Sequence, residues 1–365
     1  MMSEVKSAET PLRRGWTTGA CAAAAARAAC EALLTGQFPA SVAIPLPGGQ
    51  RPSFAIAHEA WDAAYAEAGI VKDAGDDPDV THGALVISRV APGPVGSGLT
   101  FRAGSGVGTV TRPGLPLPIG EPAINPGPRA MIAAALDEIP GRPRDLVVTV
   151  SIPGGEKIAE RTLNGRLGIV GGLSILGTTG IVIPFSCAAW IDTIHRGIDV
   201  ARALGLNHIA CATGTTSEQA AQALYGLPEP ALIEMGDFAG GLFKYLRRHP
   251  VERVTIAGGF AKMAKLGQGL LDLHSGRGSI DLAWLAAKAA EAGGGAGLVA
   301  GIATANTAAD VLARAEGEGL DLAGRIAGEA WATTAKALAG SGIALDVAVF
   351  DRLGRCLATT ATRPV

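Results

Sequence analysis

Four aspartates, Asp73, Asp76, Asp77 and Asp79, crowd one short loop of the stretch VKDAGDDPDVTHG (71–83), where Pro78 enforces a turn. Carboxylates at this density close Asx turns in solvent, hold a cation, or position a polar ligand group. The run lacks the glycine and terminal glutamate of a calcium-binding loop, so no protein-bound metal is expected of it. Asp76 and Asp77 are the candidate proton acceptors. His274, in LDLHSGRG, is the third acid–base candidate, and closing a helix end is its plainer use. The sequence shows no Ser-His-Asp order, metal-ligand cluster or GxxxxGK[ST] run. Transfer of a group from an activated donor needs none of these, because positioning and electrostatics can carry it.

A second chemical signal is the run NGRLGIVGGLSILGTTG (164–180), in which glycines interrupt an apolar Leu/Ile/Val segment. Glycine inside such a segment costs conformational entropy and packs nothing, so it marks backbone that a ligand or another segment approaches. The expectation is a buried crossover facing a ligand, with Gly171, Gly172, Thr178, Thr179 and Gly180 as contacts. The uncharged span 168–191 is long enough for a membrane helix, but its Gly, Thr, Ser and Pro184 content and lack of a basic flank argue against one.

These residues need elements to position them. GWTTGACAAAAARAACEALL (15–34) predicts a helix capped by Thr17 or Thr18; it is either a plain core helix or one whose first N–H groups bind an anion or a carbonyl. Thr17 and Thr18 are therefore substrate-binding candidates. GSGVG (104–108) superficially resembles a dinucleotide fingerprint but neither follows a clear strand nor opens a helix. Arg129 begins a helix after the Pro126–Pro128 turn, and DLVVTVS is a strand. Residues 1–150 are expected as an α+β domain and 151–184 as the glycine-rich crossover, a ligand seam between two lobes. Residues 185–365 alternate strand and helix, which predicts a Rossmann-like α/β domain with a mainly parallel sheet. Ligands of such sheets bind beyond the carboxyl ends of the strands. Here those ends are ATGTTSE (212–218), EMGDF (234–238) and AGGFAK (257–262). Gly214, Thr215, Thr216, Glu234, Asp237, Gly258 and Gly259 are the cofactor-binding candidates. Thr215 and Glu218 stand at capping-box spacing, and Lys262 and Lys265 share a helix face. GGGAG (293–297) is expected as a flexible connector between two or three alanine-rich helices that lead to a late strand, IALDVAVF.

Composition narrows the class. The 365 residues are 48% hydrophobic and 18% charged, with a formal net charge of −2. That suits a two-domain α/β enzyme and offers no basic field for nucleic acid or an anionic membrane. Glycine, at 51 residues, is about twice the usual ~7%. Five scattered cysteines without a CxxC support neither a zinc site nor a disulfide framework. Residues 1–14 show no apolar leader, so a cytoplasmic location is expected.

Taken in order, GWTTGACAAAAARAA, VKDAGDDPDVT, GSGVGTVTRPGL, GEPAINPGPRAMI, GEKIAERTLNGRLGIVGGLSILGTTGIV and AGGFAKMAKLGQGLLDLHS resemble the cobalt-precorrin-5B C1-methyltransferases of cobalamin biosynthesis, over nearly the full chain. The resemblance implies methyl transfer from S-adenosylmethionine to C1 of a cobalt corrinoid, giving cobalt-precorrin-6A. Two stretches depart from the family pattern, IPFSCAAW (183–190) and AGGFAKM (257–263), the second lacking a histidine that many members carry. On this reading Thr178–Gly180 or Gly214–Thr216 meet the donor carboxylate, and Glu234 or Asp237 its ribose. Arg129, Arg166, Lys262 and Lys265 meet the carboxylates fringing the acceptor. The cobalt arrives with the substrate; a homo-oligomer is compatible with the sequence. The rival readings are methylation of a metal-free or different tetrapyrrole, and a tetrapyrrole carrier without catalysis.

Overall fold

The computed structural model describes residues 11–276 and 278–365; residues 1–10, on which the expected lack of a leader largely rests, lie outside the described residues. The chain forms two compact units, Met1–Ser186 and Cys187–Val365. It is a mixed α/β protein with parallel and antiparallel sheets. The stretch 151–184, expected as a crossover between lobes, falls inside the first unit.

The first unit opens with β1 (Gly15–Trp16) and α1 (Thr18–Thr35). Every residue from Thr18 to Ala26 is buried. A helix buried all round must be walled in, and alanine lets those walls come close. Thr17 Oγ1 accepts the Ala20 N–H at 3.2 Å, and Gly36 closes the helix in the left-handed conformation. A hairpin of β2 (Ser41–Ala43) and β3 (Ser53–Ala55) follows, then β4 (His58–Trp61), β5 (Ala66–Val71), β6 (Leu85–Pro92), β7 (Leu99–Ala103) and β8 (Thr109–Val110). After α2 (Pro126–Asp137) and β9 (Leu146–Ser151), the order β4-β5-β6-β9-β7 completes a sheet that is antiparallel except between β7 and β9. Buried Ser88 on β6 donates its hydroxyl to the Ala22 carbonyl at 2.8 Å, tying α1 to this sheet. Short α3 (Gly155–Ala159), β10 (Ile169–Val170) and β11 (Ile181–Val182) end the unit; β10 pairs with β8 and β11 with β1.

The second unit begins with α4 (Cys187–Ala203), β12 (His208–Ala212), α5 (Thr215–Tyr225), β13 (Leu232–Glu234), α6 (Ala239–Leu246), β14 (Arg253–Gly259) and α7 (Phe260–Gly267). Four helices come next, α8 (Leu282–Glu291), α9 (Ala296–Ala303), α10 (Ala308–Gly317) and α11 (Leu322–Leu338), rather than two or three. The expected GGGAG connector is shorter than the motif, since Ala296 already opens α9. Then come β15 (Ala344–Phe350), β16 (Cys356–Thr359) and β17 (Arg363–Pro364). The path is β13-β12-β14-β15-β16, parallel through β15 and antiparallel beyond it. Among the described residues no helix is long and apolar enough to cross a membrane.

Candidate functional site

In the first unit the aspartate loop is built as a closed ring. By the two-residue alternation of β5, Ala66, Ala68, Ile70 and Lys72 all turn inward and are buried. Lys72, only 1% exposed, donates its ammonium to Asp79 Oδ2 at 2.6 Å. The other Asp79 oxygen accepts the Thr81 N–H and hydroxyl at 2.7 and 2.6 Å. Burial works against the Asp79 charge, yet the bonds from Lys72 and Thr81 prevail and hold its carboxyl below the ordinary range. On the outer side the Arg13 guanidinium forks onto both Asp73 oxygens, which brings the Asp73 pKa down to about 2. The Arg13 N–H reaches Asp76 Oδ2 at 2.6 Å, while the Asp76 N–H returns to the Arg13 carbonyl at 2.9 Å. Gly75, at φ 70°, permits this crossing, since a Cβ there would lie 2.1 Å from the Arg13 carbonyl oxygen.

Asp77 reaches furthest along the chain. Its Oδ1 accepts the Phe185 N–H at 2.8 Å. Phe185 has φ 55°, the one positive φ among described non-glycine residues. A left-handed bulky residue costs about 1–2 kcal/mol, within the ~1.5–3 kcal/mol of a hydrogen bond to a charged acceptor. Asp76, Asp77, His82, Arg161 and Phe185 line an open cleft of about 460 Å³. His82 accepts the Ala74 N–H on Nδ1 at 3.1 Å. Sequence reasoning singled out Asp76 and Asp77 and missed His82, Arg161 and Phe185, which the fold brings to the same place. Asp73 and Asp76 both go to Arg13, Asp77 to Phe185 and Asp79 to Lys72 and Thr81, and no group of three or more His, Cys, Asp or Glu side chains able to hold a metal gathers among the described residues.

The other expected contacts of this unit hold the fold together. Thr17 and Thr18 are buried. Thr17 caps α1, and its N–H donates to the Gly180 carbonyl at 3.0 Å. The Thr18 hydroxyl exchanges hydrogen bonds with the Leu176 backbone, and the Gly19 N–H is taken by the Leu176 carbonyl. The start of α1 is thus closed by protein rather than open to an anion. Gly172 lies on the backbone of Gly106, where an added Cβ would sit 2.4 Å from its carbonyl, and the side chain of Leu46 fills the place of a Gly180 Cβ. Gly171, Thr178 and Thr179 are exposed, and the Thr179 hydroxyl closes a turn with the Ile181 backbone. Arg129 is locked to Glu121 at 2.8 Å and to the carbonyls of Ile124 and Pro122. Arg166 is half-buried, and its carbonyl accepts from Arg112 at 2.7 Å. Burial pushes the Cys21 thiol up to about 12 and Cys30 to about 11, as for inert core residues.

In the second unit β12 lies between β13 and β14 and is parallel to both, so the strand order reverses at β12, the kind of place beyond whose carboxyl ends ligands of open sheets bind. Gly214 precedes α5 there without a side-chain cap, so the Thr215–Glu218 capping box does not form. Thr215 and Thr216 are exposed, and a Cβ at Gly214 or Gly259 would meet nothing within 4 Å. Gly258 is held close, with Thr213 and Met263 where its side chain would be. Glu234 ends β13. Asp237 is paired with Lys262. Lys262 and Lys265 donate to the same carbonyl, that of Leu273, at 3.0 and 3.1 Å, and the Leu273 N–H donates to the Asp237 carbonyl at 2.9 Å. Lys265 is buried, and desolvation, then neighbouring Lys262, lowers its pKa. This clamp fixes the segment that leads to exposed His274. His274 Nδ1 accepts the Gly276 N–H at 3.1 Å, so the neutral ring carries its proton on Nε2.

The family model described as CbiD matches residues 5–184, and that described as CbiD, C-terminal domain, matches 272–361. A cobalt-precorrin-5B C(1)-methyltransferase of Bradyrhizobium sp. is 66% identical over 95% of this chain and 94% of its own. That of Agrobacterium fabrum is 62% identical over 97% and 94%. A crystal structure of a cobalamin biosynthesis protein (cbiD) from Archaeoglobus fulgidus is 28% identical, covering 73% of this chain and 83% of that one at a TM-score of 0.40. With the two family models together spanning most of the sequence and relatives this similar end to end, the chain belongs to the CbiD family.

Proposed function

We propose that this chain transfers a methyl group from S-adenosylmethionine to C1 of cobalt-precorrin-5B, giving cobalt-precorrin-6A, a step in building the corrin ring. The observation that carries the reading is the 66% identity over 95% of the chain to a relative named for that reaction. The second unit is read as Rossmann-like, with the donor beyond the carboxyl ends of β12 and β14. A Cβ at Gly214 or Gly259 would meet no protein atom within 4 Å, so the backbone there is open to the approach of a flat ligand. Bound there, S-adenosylmethionine supplies an electrophilic methyl on a sulfonium.

The work of the protein is then alignment. The N–H groups of Thr215 and Thr216 at the start of α5 suit the donor's carboxylate. Glu234, at the end of β13, or Asp237, just after it, suits its ribose hydroxyls, Asp237 also pairing with Lys262. Of the candidate acceptor-carboxylate contacts, Arg129, Lys262 and Lys265 already carry partners in the fold, namely Glu121, Asp237 and the Leu273 carbonyl. Holding sulfur, methyl and C1 in line at contact distance accounts for most of the acceleration such a transfer needs. His274, with its proton on Nε2, donates a hydrogen bond rather than accepting a proton. A location in the cytoplasm fits a pathway of small-molecule substrates.

The test is single-turnover incubation of the purified chain with methyl-labelled donor and cobalt-precorrin-5B. Label in the corrinoid with equimolar S-adenosylhomocysteine supports the reading. Label transfer only to metal-free acceptor, or none with either, overturns it.

A further inference from the structure

Phe185 combines three features. Its backbone is left-handed at φ 55°, the residue is 66% exposed, and it lines the first unit's cleft. Aromatic residues make up only 4% of this chain, so they are scarce even for its core. A phenylalanine serving packing would turn inward and relax its backbone. This one is held outward in a conformation that persists only where surroundings over-determine it. The determining group is Asp77, bonded to the Phe185 N–H from 108 positions away. Asp77 sits on a loop fastened on one side by Lys72–Asp79 and on the other by Arg13. Arg161 lines the same cleft, is exposed, and makes no hydrogen bond or ion pair through its guanidinium among the described residues.

We propose that Phe185 is a platform for one edge of the flat, carboxylate-fringed tetrapyrrole acceptor, that Arg161 binds one of its carboxylates, and that Asp77 is the positioning residue that fixes the platform. The identity of the acceptor rests on the methyl-transfer reading above. The ring face of Phe185 offers stacking to a conjugated macrocycle, and a guanidinium matches a carboxylate with two parallel bonds. An open cleft of about 460 Å³ takes an edge of such a molecule rather than the whole disc. Asp76 and Asp77 each give one oxygen to a backbone N–H, at 2.6 and 2.8 Å, and their charge repels a second acceptor carboxylate. Attraction at Arg161 and repulsion at the aspartates together choose which edge enters.

The experiment titrates the full chain with two probes, cobyrinic acid as a cobalt-bearing, carboxylate-fringed corrinoid and S-adenosylhomocysteine for the donor site. Phe185→Ala should weaken the corrinoid about tenfold and leave S-adenosylhomocysteine unchanged, while Phe185→Trp holds both. Asp77→Asn keeps an oxygen for the Phe185 N–H and, with one repelling charge fewer, should bind the corrinoid at least as tightly as wild type, whereas Asp77→Ala should resemble Phe185→Ala. Phe185→Gly takes the left-handed backbone without strain and loses the corrinoid equally, so the test survives if the alanine variant folds poorly. Corrinoid affinity within twofold of wild type in both Phe185→Ala and Phe185→Gly overturns the platform. A loss confined to S-adenosylhomocysteine overturns the assignment of the cleft to the acceptor. Equal weakening by Asp77→Asn and Asp77→Ala overturns the positioning role. Binding through Phe185 without any S-adenosylhomocysteine production by wild type refutes methyl transfer alone; normal turnover with an indifferent Phe185 refutes the platform alone.

Discussion

Lys72→Met tests whether the aspartate loop is held from beneath. Methionine keeps the length of the stem and much of its packing, so the change isolates the charge. Removing one partner of a fully buried ion pair costs about 3–5 kcal/mol. The Asp79 side chain is 24% exposed and keeps two bonds from Thr81, which places the expected loss lower, at about 2–3 kcal/mol. For a unit of this size that lowers the melting midpoint by about 5–10 °C. The pH dependence carries a sign. Asp79 is depressed in the folded state, so its contribution is present above its unfolded value near 3.9 and is lost as pH falls through the folded value. Without Lys72 burial dominates and the Asp79 carboxyl rises, so the deficit of the variant is largest at neutral pH and narrows in acid. Lys72→Met/Asp79→Leu should recover most of the loss, because a buried pair replaced by apolar residues is close to neutral. Calorimetry of the four proteins of the cycle between pH 7 and pH 4 decides the matter. A midpoint within 2 °C of wild type at pH 7, or a gap that stays constant on acidification, refutes the reasoning.

Other expectations are independent of that loop's underside. Gly106→Ala forces a Cβ to within 1.8 Å of the Ile152 carbonyl oxygen at φ 72°, so it should cost more than about 3 kcal/mol in a urea titration; a wild-type midpoint would contradict the crossing described. Glu138 is brought to about 2 by Arg51 and then Arg27, and Asp73 to about 2 by Arg13. Both are depressed carboxyls, so stability they supply above pH ~4.5 should drain away towards pH 2; because solvent screens the exposed Arg51–Glu138 pair, Arg51→Gln should remove only a small part of it, read as a slightly shallower acid limb when the same titration is repeated across pH. His274→Gln, which keeps a donor near Nε2, should retain turnover within about threefold, whereas a hundredfold fall in kcat would restore His274 as a proton acceptor. Thr17→Ala should lose about 1 kcal/mol through the α1 cap, read from the same denaturant titration.

Most elements were legible because their signals are local. The alanine run with Thr17 ahead of it makes a helix wherever it packs, and alternating strands and helices in the second half impose a parallel sheet. The site was legible only in part. Glycine reports that something approaches the backbone without saying whether protein or ligand does. At Gly172 the neighbour is Gly106, so a signal taken for a ligand contact came from a backbone crossing, whereas the spaces beside Gly214 and Gly259 are open. Lys72 was within reach, because it continues the inward alternation of Ala66, Ala68 and Ile70. Phe185 was not, since its importance comes from a bond to Asp77 made only by folding. The second unit's cations misled for a related reason. Lys262 and Lys265 do share a helix face, but that face looks onto the Leu273 carbonyl.

The distribution of charge around the aspartates explains why a loop so rich in carboxylates need not be an acid–base centre. Asp73 is neutralised by Arg13 and Asp79 by Lys72, and Asp76 and Asp77 each accept a backbone N–H. At Asp73 and Asp79 the bonds hold the carboxyl below its ordinary range, against the protonated form that proton transfer would produce. The same bonds fix the geometry of the cleft, and rigidity there is what an in-line displacement demands. A proton acceptor tolerates loss of a neighbouring hydrogen bond but not loss of its own charge. A positioning carboxylate behaves the other way, which is why Asp77→Asn and Asp77→Ala must part company if the loop is a frame for Phe185.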